Sequence, residues 1–378
     1  MYDFDCVSER AGSDSVKWNM VAGDEIPMWV ADMDIKTPQP IVDATLKRAS
    51  HPYFGYPYTQ DMLKETVIAH YDRTYGAKIK PEWIVWIPSV MPGLVTALQM
   101  MDGEFLYSVP MYNHIRMLSK ESKLPVIEVP MKVDANCHYT MDMQALEAAV
   151  TPAVKCMVLC NPHNPVGRVY TREELLELQA FCKKHNLLMI SDEIHCEFDL
   201  EDRHIPYFAL NEEAANYSIT ASSAGKICNI PGLPMGFAII PNEEIRERFI
   251  SRQDGLLSCA NVVTLAAYEK AYDGSCAQWK QELREYLKKN RDISEERFNR
   301  IPKLRTPHNE GTYLLWVDCS ELGLENPADF FLEKAKVKVC DGEIYGNVQF
   351  VRFNYACPRA QLIEALDRME KAVEGLRK

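Results

Sequence analysis

The chain has 378 residues, 47% of them apolar and 25% charged, a balance proper to a folded globular protein and remote from the polar, highly charged signature of disorder. Its 42 basic and 54 acidic residues give a net charge of -12, which argues against broad binding to nucleic acid or to an anionic membrane while leaving room for a local basic pocket. The length favours two domains over one.

Residues 1–45 read as an extended arm. The opening Met1-Tyr-Asp-Phe-Asp-Cys6 has neither the basic nor the apolar region of a secretion signal, and no stretch reaches the length needed to span a bilayer, so a cytoplasmic protein is expected. A turn-rich segment at 24–34 precedes a helix starting near 38–40. In His51-Pro-Tyr-Phe-Gly-Tyr-Pro-Tyr58 the Pro and Gly residues rule out a regular helix. Its tyrosines are either packing residues or rings with hydroxyls near a ligand. A helix over about 61–75 leads into the apolar Trp83-Ile-Val-Trp-Ile87, the turn Pro88-Ser-Val-Met-Pro-Gly93 and a helix over 94–101. Free N–H groups at such a helix start make an anion site, although many turns of this form bind nothing.

Phe105-Leu-Tyr-Ser-Val-Pro-Met-Tyr112 reads as a strand ending in a loop that carries Tyr112, and 126–130 as a further short strand. A helix over 143–150 and a buried strand over 154–159 follow, the strand ending in Asn161-Pro-His-Asn-Pro-Val-Gly167. A helix over 172–185 precedes a strand over 187–190 that ends in Ser191-Asp-Glu-Ile-His-Cys-Glu197. The twelve cysteines are scattered without a paired CxxC framework, and Cys156 and Cys160 sit inside an apolar run, so reduced thiols are expected. The β-like run beginning Ser218-Ile-Thr-Ala-Ser opens into small residues and presents Lys226. A run over 236–240 and a long helical region over about 243–299 come next, the latter interrupted at Gly255 and Gly274 into two or three helices. From 311 onward the pattern changes to an α+β unit with strands over 311–318 and 348–354 and a last helix over 359–376. Strands alternating with helices imply a mainly parallel sheet covered on both faces, with ligands at the carboxyl ends of the strands.

A lone lysine such as Lys226 is most simply a solvated surface residue. Small residues before it and apolar segments around it would instead allow a desolvated amine of lowered pKa. Asp192, Glu193, His195 and Glu197 invite a metal reading, since the last three would share a face if the strand continued, but no second His or Cys cluster completes a site and no metal is expected. Another combination uses more of the chain. A carboxylate at a strand end holds a pyridine nitrogen protonated, an amide such as Asn164 binds a phenolic oxygen, a tyrosine ring stacks, and a turn binds phosphate. Those are the needs of pyridoxal phosphate on a lysine.

Asn161-Pro-His-Asn-Pro-Val-Gly167, Ser191-Asp-Glu-Ile-His195 and Lys226-Ile-Cys-Asn-Ile-Pro-Gly232, in that order and spacing, resemble the fold-type-I pyridoxal-phosphate enzymes, the aspartate aminotransferase superfamily. Trp29-Val-Ala-Asp-Met-Asp34, Phe54-Gly-Tyr56 and Ser191-Asp-Glu-Ile-His-Cys196 make the chain most similar to the cystathionine β-lyase, or carbon–sulfur lyase, branch. The resemblance implies an α/β fold: a three-layer large domain with a mainly parallel sheet over 46–280, a smaller α+β C-terminal domain over 281–378, and an arm over 1–45 contributing to the small domain. It implies that Lys226 carries the cofactor covalently and moves protons, that Asp192 pairs with the pyridinium nitrogen at a lowered pKa, and that Tyr112 stacks on the ring as a catalytic and binding residue. Asn164 would bind the phenolic oxygen, with His195 nearby. Backbone groups at Val90 and Met91, with Ser223, would hold the phosphate, together with Tyr56 of a second subunit. Arg352 would clamp the substrate carboxylate, beside Ala31 and Asn164, and strand alternation sets it on one face with Phe350 and Asn354.

The expected reaction is α,β-elimination of L-cystathionine or a related cysteine S-conjugate to a thiol, pyruvate and ammonia, in a homodimer with its active site at the subunit interface. Neither nucleic acid nor a membrane is an expected partner. The rivals are a pyridoxal-phosphate aminotransferase and a cofactor-binding regulatory protein. The chain also departs from the wider family. Aminotransferases commonly place Arg eight residues after the lysine, where Pro234 stands here, which favours the lyase branch. Gly225 replaces a frequent Ser, and Cys228 replaces a frequent aromatic and is most simply a packing thiol.

Overall fold

The computed structural model describes residues 2–7, 9–58, 60–254 and 260–376. Its strands, in chain order, are β1 (Ile26–Met28), β2 (Ile84–Ile87), β3 (Glu104–Val109), β4 (Val126–Pro130), β5 (Lys132–Val133), β6 (Tyr139–Thr140), β7 (Val154–Cys160), β8 (Leu188–Asp192), β9 (Ser218–Ser222), β10 (Gly236–Ile239), β11 (Leu314–Asp318), β12 (Val337–Asp341) and β13 (Phe350–Asn354). Seven of them form the large sheet in the order β2-β10-β9-β8-β7-β3-β4. β10 runs against both of its neighbours and every other pair is parallel, so all strands but β10 point the same way. The carboxyl ends of β7, β8 and β9 therefore lie side by side.

Alternation along these strands builds a core on each face of the sheet. From β7, Cys156, Val158 and Cys160 enter one core with Leu94, Leu98 and Phe249, on the helices Val90–Leu98 and Glu243–Gln253. Met157 and Leu159 enter the opposite core with Leu175, Leu178 and Phe181 of the helix Arg172–His185. This is a three-layer α/β arrangement. The last helix is delimited by its own sequence: Thr171 and Glu174 form a reciprocal capping box at its start, worth about 1 kcal/mol, and Asn186 takes a left-handed conformation at its end.

The second sheet has the order β1-β12-β13-β11, with β1 parallel to β12 and the other pairs antiparallel. The helices Ala277–Arg300 and Arg359–Gly375 pack on it through Leu283, Leu287, Phe298, Leu362, Leu366 and Met369. β5 and β6 form a small separate hairpin.

Several details differ from the sequence reading. The helix expected over 94–101 begins four residues earlier, at Val90, because Pro92 is tolerated in a first turn where no intrahelical N–H bond is lost. Gly93, in the same turn, allows close packing on β2, since a Cβ there would lie 2.5 Å from Ile87 Cδ1. The 243–299 region is three helices, Glu243–Gln253, Val262–Tyr272 and Ala277–Arg300, with Gly274 between the last two, while the Gly255 interruption lies outside the described residues. The N-terminal segment is less extended than expected: it adds the helix Val16–Asn19 and buries Met33, Ile35 and Ile41, while the helix expected from near 38–40 is present as Gln39–Ser50. Tyr53, Tyr56 and Tyr58 are exposed, so within one chain they are not packing residues. No described helix is long and apolar enough to cross a membrane. The described cysteines are free thiols.

Candidate active site

The loops leaving β7, β8 and β9 meet the turn after β2 and the segment after β1 around a cavity of about 190 Å³. Asp192, Asn164, His195, Tyr112, Ser223, Lys226, Ala31, Val90 and Met91 all wall it, so nine of the expected positions come together. Arg352 stands behind Asn164. Tyr56 alone is elsewhere, its ring fully exposed on the 51–58 loop.

Lys226 follows β9 after three small residues, and its Nζ donates to the Ala31 carbonyl at 2.8 Å. Burial pulls its pKa down to about 8; the Arg352 charge pushes the same way, against Asp32 and Asp192. The solvated-surface reading of this lysine is thereby set aside. Asp192 is the last residue of β8, and burial raises its carboxyl to about 7, opposed by the Ile194 N–H and by Lys226. The lowered pKa expected for Asp192 is reversed in the polypeptide alone, because desolvation outweighs the neighbouring donors. A cationic partner would be needed to lower it.

His195 is buried, and desolvation, with Lys226 and Arg352 adding to it, holds its pKa well below the ordinary value, so the imidazole is neutral. Its Nδ1 has no protein partner. The 161–167 loop is fixed by the Asn161 N–H donating to the Asp192 carbonyl at 2.9 Å and by His163 lying between the Tyr170 hydroxyl and the Pro110 carbonyl. Gly167 closes it at φ 73°, where a Cβ would come 2.7 Å from Asn309 Nδ2. Asn164 Oδ1 then accepts from Arg352 Nη1 at 3.1 Å.

Arg352 lies in the middle of β13, buried as strand alternation suggested, with Asn354 buried on the same face. Its Nη2 donates to the Trp29 carbonyl at 2.9 Å, and its guanidinium carbon stands 4.9 Å from the Tyr345 ring centroid. No carboxylate pairs with it among the described residues. Tyr112 presents its ring to the cavity, and burial pushes its hydroxyl pKa up to about 12.

At the other end, Ser89 is extended and makes no side-chain cap, so the N–H groups of Val90 and Met91 open the helix without intrahelical acceptors. Ser223 Oγ donates to the Met235 carbonyl at 2.6 Å and accepts from the Gly225 N–H at 3.0 Å. Two tyrosines here escaped the sequence reading. Tyr268 lines the cavity and lies 2.8 Å from Ser223 Oγ, and Tyr313 donates to the Ala31 carbonyl at 3.0 Å. Both fall at apolar-patterned positions, Tyr268 in a helix and Tyr313 before a strand, where nothing local separates a site residue from a core one.

The metal alternative fails on its own condition, because β8 ends at Asp192 and the acidic groups diverge. Glu193 accepts from the Ser191 hydroxyl at 2.9 Å and the Tyr207 N–H at 2.8 Å, while Glu197 pairs with Lys280 at 2.8 Å. Among the described residues no three His, Cys, Asp or Glu side chains are grouped to hold an ion. Cys228 is buried in the core, as a packing thiol would be.

The profile of the family described as aminotransferase class I and II matches residues 26–369. Cystathionine beta-lyase PatB of Bacillus subtilis (strain 168) is 32% identical, over 98% of this chain and 100% of its own length. Protein MalY of Escherichia coli (strain K12) is 31% identical over 100% of both. Among solved structures, cystalysin from Treponema denticola, which contains a pyridoxal 5'-phosphate cofactor, superposes with a TM-score of 0.94 at 29% identity, covering 100% of both chains. The structure of OvoB does so with a TM-score of 0.94 at 36% identity, covering 98% of this chain and 99% of its own.

Proposed function

This chain belongs to the aminotransferase class I and II family, and we propose that it is a pyridoxal-phosphate-dependent carbon–sulfur β-lyase of the cystathionine β-lyase type. Its substrate would be L-cystathionine or a related cysteine S-conjugate, cleaved with water to a thiol, pyruvate and ammonia. The observation that carries this reading is the convergence of Lys226, Asp192 and Asn164 around one cavity, with the uncompensated Arg352 bonded to Asn164 behind it, in a chain whose full-length relatives include proteins named cystathionine beta-lyase.

The donor set fits pyridoxal phosphate. A buried carboxylate whose pKa is raised for want of a cation suits a pyridinium nitrogen, an amine with a pKa near 8 suits an aldehyde, and a helix N-terminus with a hydroxyl suits a phosphate. When bound, the cofactor supplies an electron sink for negative charge developing at the substrate Cα. The chain's own residues do the rest. Lys226 would hold the cofactor and, once its Nζ is free, would take the substrate Cα proton; as the electron pair of the Cβ–S bond leaves with sulfur, Lys226 would return that proton to give the thiol. Arg352 receives the substrate carboxylate in its planar fork, and Asn164, bonded to it, sets the ring's oxygen side. Asp192 would hold the ring nitrogen and Tyr112 would stack on the ring, with neutral His195 beside them. Val90, Met91 and Ser223 take the phosphate.

The active form would be a cytoplasmic homodimer, in which Tyr56 of a second copy completes the phosphate site. The exposure of Tyr53, Phe54, Tyr56 and Tyr58 on one loop supports this. The division into an arm over 1–45, a large unit over 46–280 and a small unit over 281–378 is proposed with it; the hydrogen bonding of β1 to β12 supports assigning the arm to the small unit. Nucleic acid and membrane are not proposed as partners.

The test is pyruvate release from a panel of sulfur amino acids, with Lys226→Ala as control. Pyruvate from at least one of them, lost in the variant, is expected. Keto-acid-dependent turnover without pyruvate would make the protein an aminotransferase, and negligible turnover across the panel would favour a regulatory role.

A further inference from the structure

The phosphate end of this cavity is short of positive charge. Pro234, Met235, Tyr268, Ser223 and the 89–91 turn wall it, and Lys226, the one cationic side chain among the described cavity residues, is turned to the Ala31 carbonyl. A phosphate there must be held by neutral donors, so the direction of each hydroxyl proton matters.

Ser223 has one such proton, and in this structure its shortest acceptor is the cavity wall, the Met235 carbonyl at 2.6 Å. The Tyr268 hydroxyl reaches the same carbonyl, also at 2.6 Å, and the two hydroxyl oxygens are 2.8 Å apart. Two hydroxyls thus stand within reach of one buried carbonyl that needs only one. Ser223 Oγ is already supplied as an acceptor by the Gly225 N–H at 3.0 Å. Gly225 also leaves the pair room, since a Cβ there would stand 3.1 Å from Ser223 Oγ and 3.5 Å from the Tyr268 oxygen.

We infer that Tyr268 is a positioning residue which, by keeping the Met235 carbonyl bonded, releases the Ser223 hydroxyl to turn its proton onto the cofactor phosphate. The turn is a rotation about one C–O bond and moves no heavy atom. With Tyr268 present, no buried acceptor is orphaned; without its hydroxyl, the same turn would strand the Met235 carbonyl. Burial raises the Tyr268 pKa far above the working range, so it remains a donor throughout.

This inference rests on the pyridoxal-phosphate reading, and the test separates the two. The cofactor-free full chain is titrated with pyridoxal phosphate and, separately, with pyridoxal, which lacks the phosphate; binding is followed by tryptophan fluorescence and the thermal midpoint of the cofactor-free protein is recorded. Tyr268→Phe is expected to weaken pyridoxal phosphate about tenfold while leaving pyridoxal within about twofold. Ser223→Ala is expected to give the same phosphate-specific loss, with a somewhat lowered midpoint because the buried Gly225 N–H loses its acceptor. The double variant should be no worse than Ser223→Ala alone. Unchanged pyridoxal phosphate binding in Tyr268→Phe would overturn the inference, as would equal weakening of both aldehydes or independent losses that multiply. If Tyr268→Phe yields no folded protein, the Ser223→Ala arm still decides: unchanged pyridoxal phosphate binding there shows that Ser223 gives no proton to the phosphate and overturns the inference. A wild-type chain that binds neither aldehyde overturns the functional reading and this inference together.

Discussion

Two buried cations in this molecule, Lys280 and Arg352, sit in opposite electrostatic situations. Lys280, on the helix Ala277–Arg300, bonds both oxygens of Glu197 at 2.8 and 3.0 Å, and His70 stands 3.5 Å from the same carboxylate. Arg352 is just as buried, yet its protein partners are the neutral Asn164 and Trp29 oxygens and the face of Tyr345. Desolvating a cation costs several kcal/mol in either place. At Lys280 the cost is offset within the fold, whereas at Arg352 it is left for an arriving anion to offset. A closed ion pair marks structure and an open one marks a binding site, even though neither side chain looks special in the sequence.

The largest expected effect is not at either cation but at the cavity amine, Lys226. Lys226→Ala should abolish turnover and remove the visible absorption band of the lysine-bound cofactor; a retained band would mean that another lysine carries it. Next comes Arg352→Ala. It should lower kcat/KM for an amino-acid substrate by about 100-fold or more, with the folded protein no less stable, since an uncompensated charge is removed. A kinetically silent variant would erase the distinction between the two cations.

Lys280→Met should show the converse. Leaving Glu197 buried without its partner is expected to cost about 3–5 kcal/mol in urea unfolding, with kcat/KM of the surviving folded enzyme nearly unchanged. A small loss of stability would mean that His70 alone satisfies the carboxylate.

The pH dependence of stability is a subtler probe of the same pair. The charges of Lys280 and His70 hold Glu197 at about 2, below the ordinary glutamate value of 4.5, despite a desolvation that raises it. A carboxylate lowered in the folded state contributes stability that is fully present above its unfolded value and lost as the pH falls through the folded one. The thermal midpoint of the wild type should therefore fall between about pH 5 and pH 2 more steeply than that of Glu197→Gln. Parallel curves would show the pair to be weaker than its geometry.

Much of the site was legible because the signals are local. Asp192 closes an apolar strand, Val90 and Met91 follow a turn with Pro and Gly, and Asn164 lies in a loop whose prolines and glycine bar regular structure. Arg352 was legible through period-2 alternation along β13. The pKa of Asp192 was not, because its sign depends on how completely the surrounding layers exclude water. Tyr268 and Tyr313 were missed since a buried tyrosine at core spacing gives no sign of what its hydroxyl meets. The sequence leaves the aromatic loop between packing and ligand contact, and its exposure is visible only with the rest of the chain in place.

By itself the sequence determined the order of strand, loop and helix, the lysine after β9 and the carboxylate closing β8, because capping, alternation and turn chemistry act over a few residues. Only the tertiary structure decided which distant groups meet. Ala31 and Lys226 are 195 residues apart, Asn164 and Arg352 are 188 apart, Glu197 and Lys280 are 83 apart, and Ser223 and Tyr268 are 45 apart. Such meetings follow from the strand order β9-β8-β7 and from the helices and second-sheet residues brought against it, to which no local propensity is sensitive.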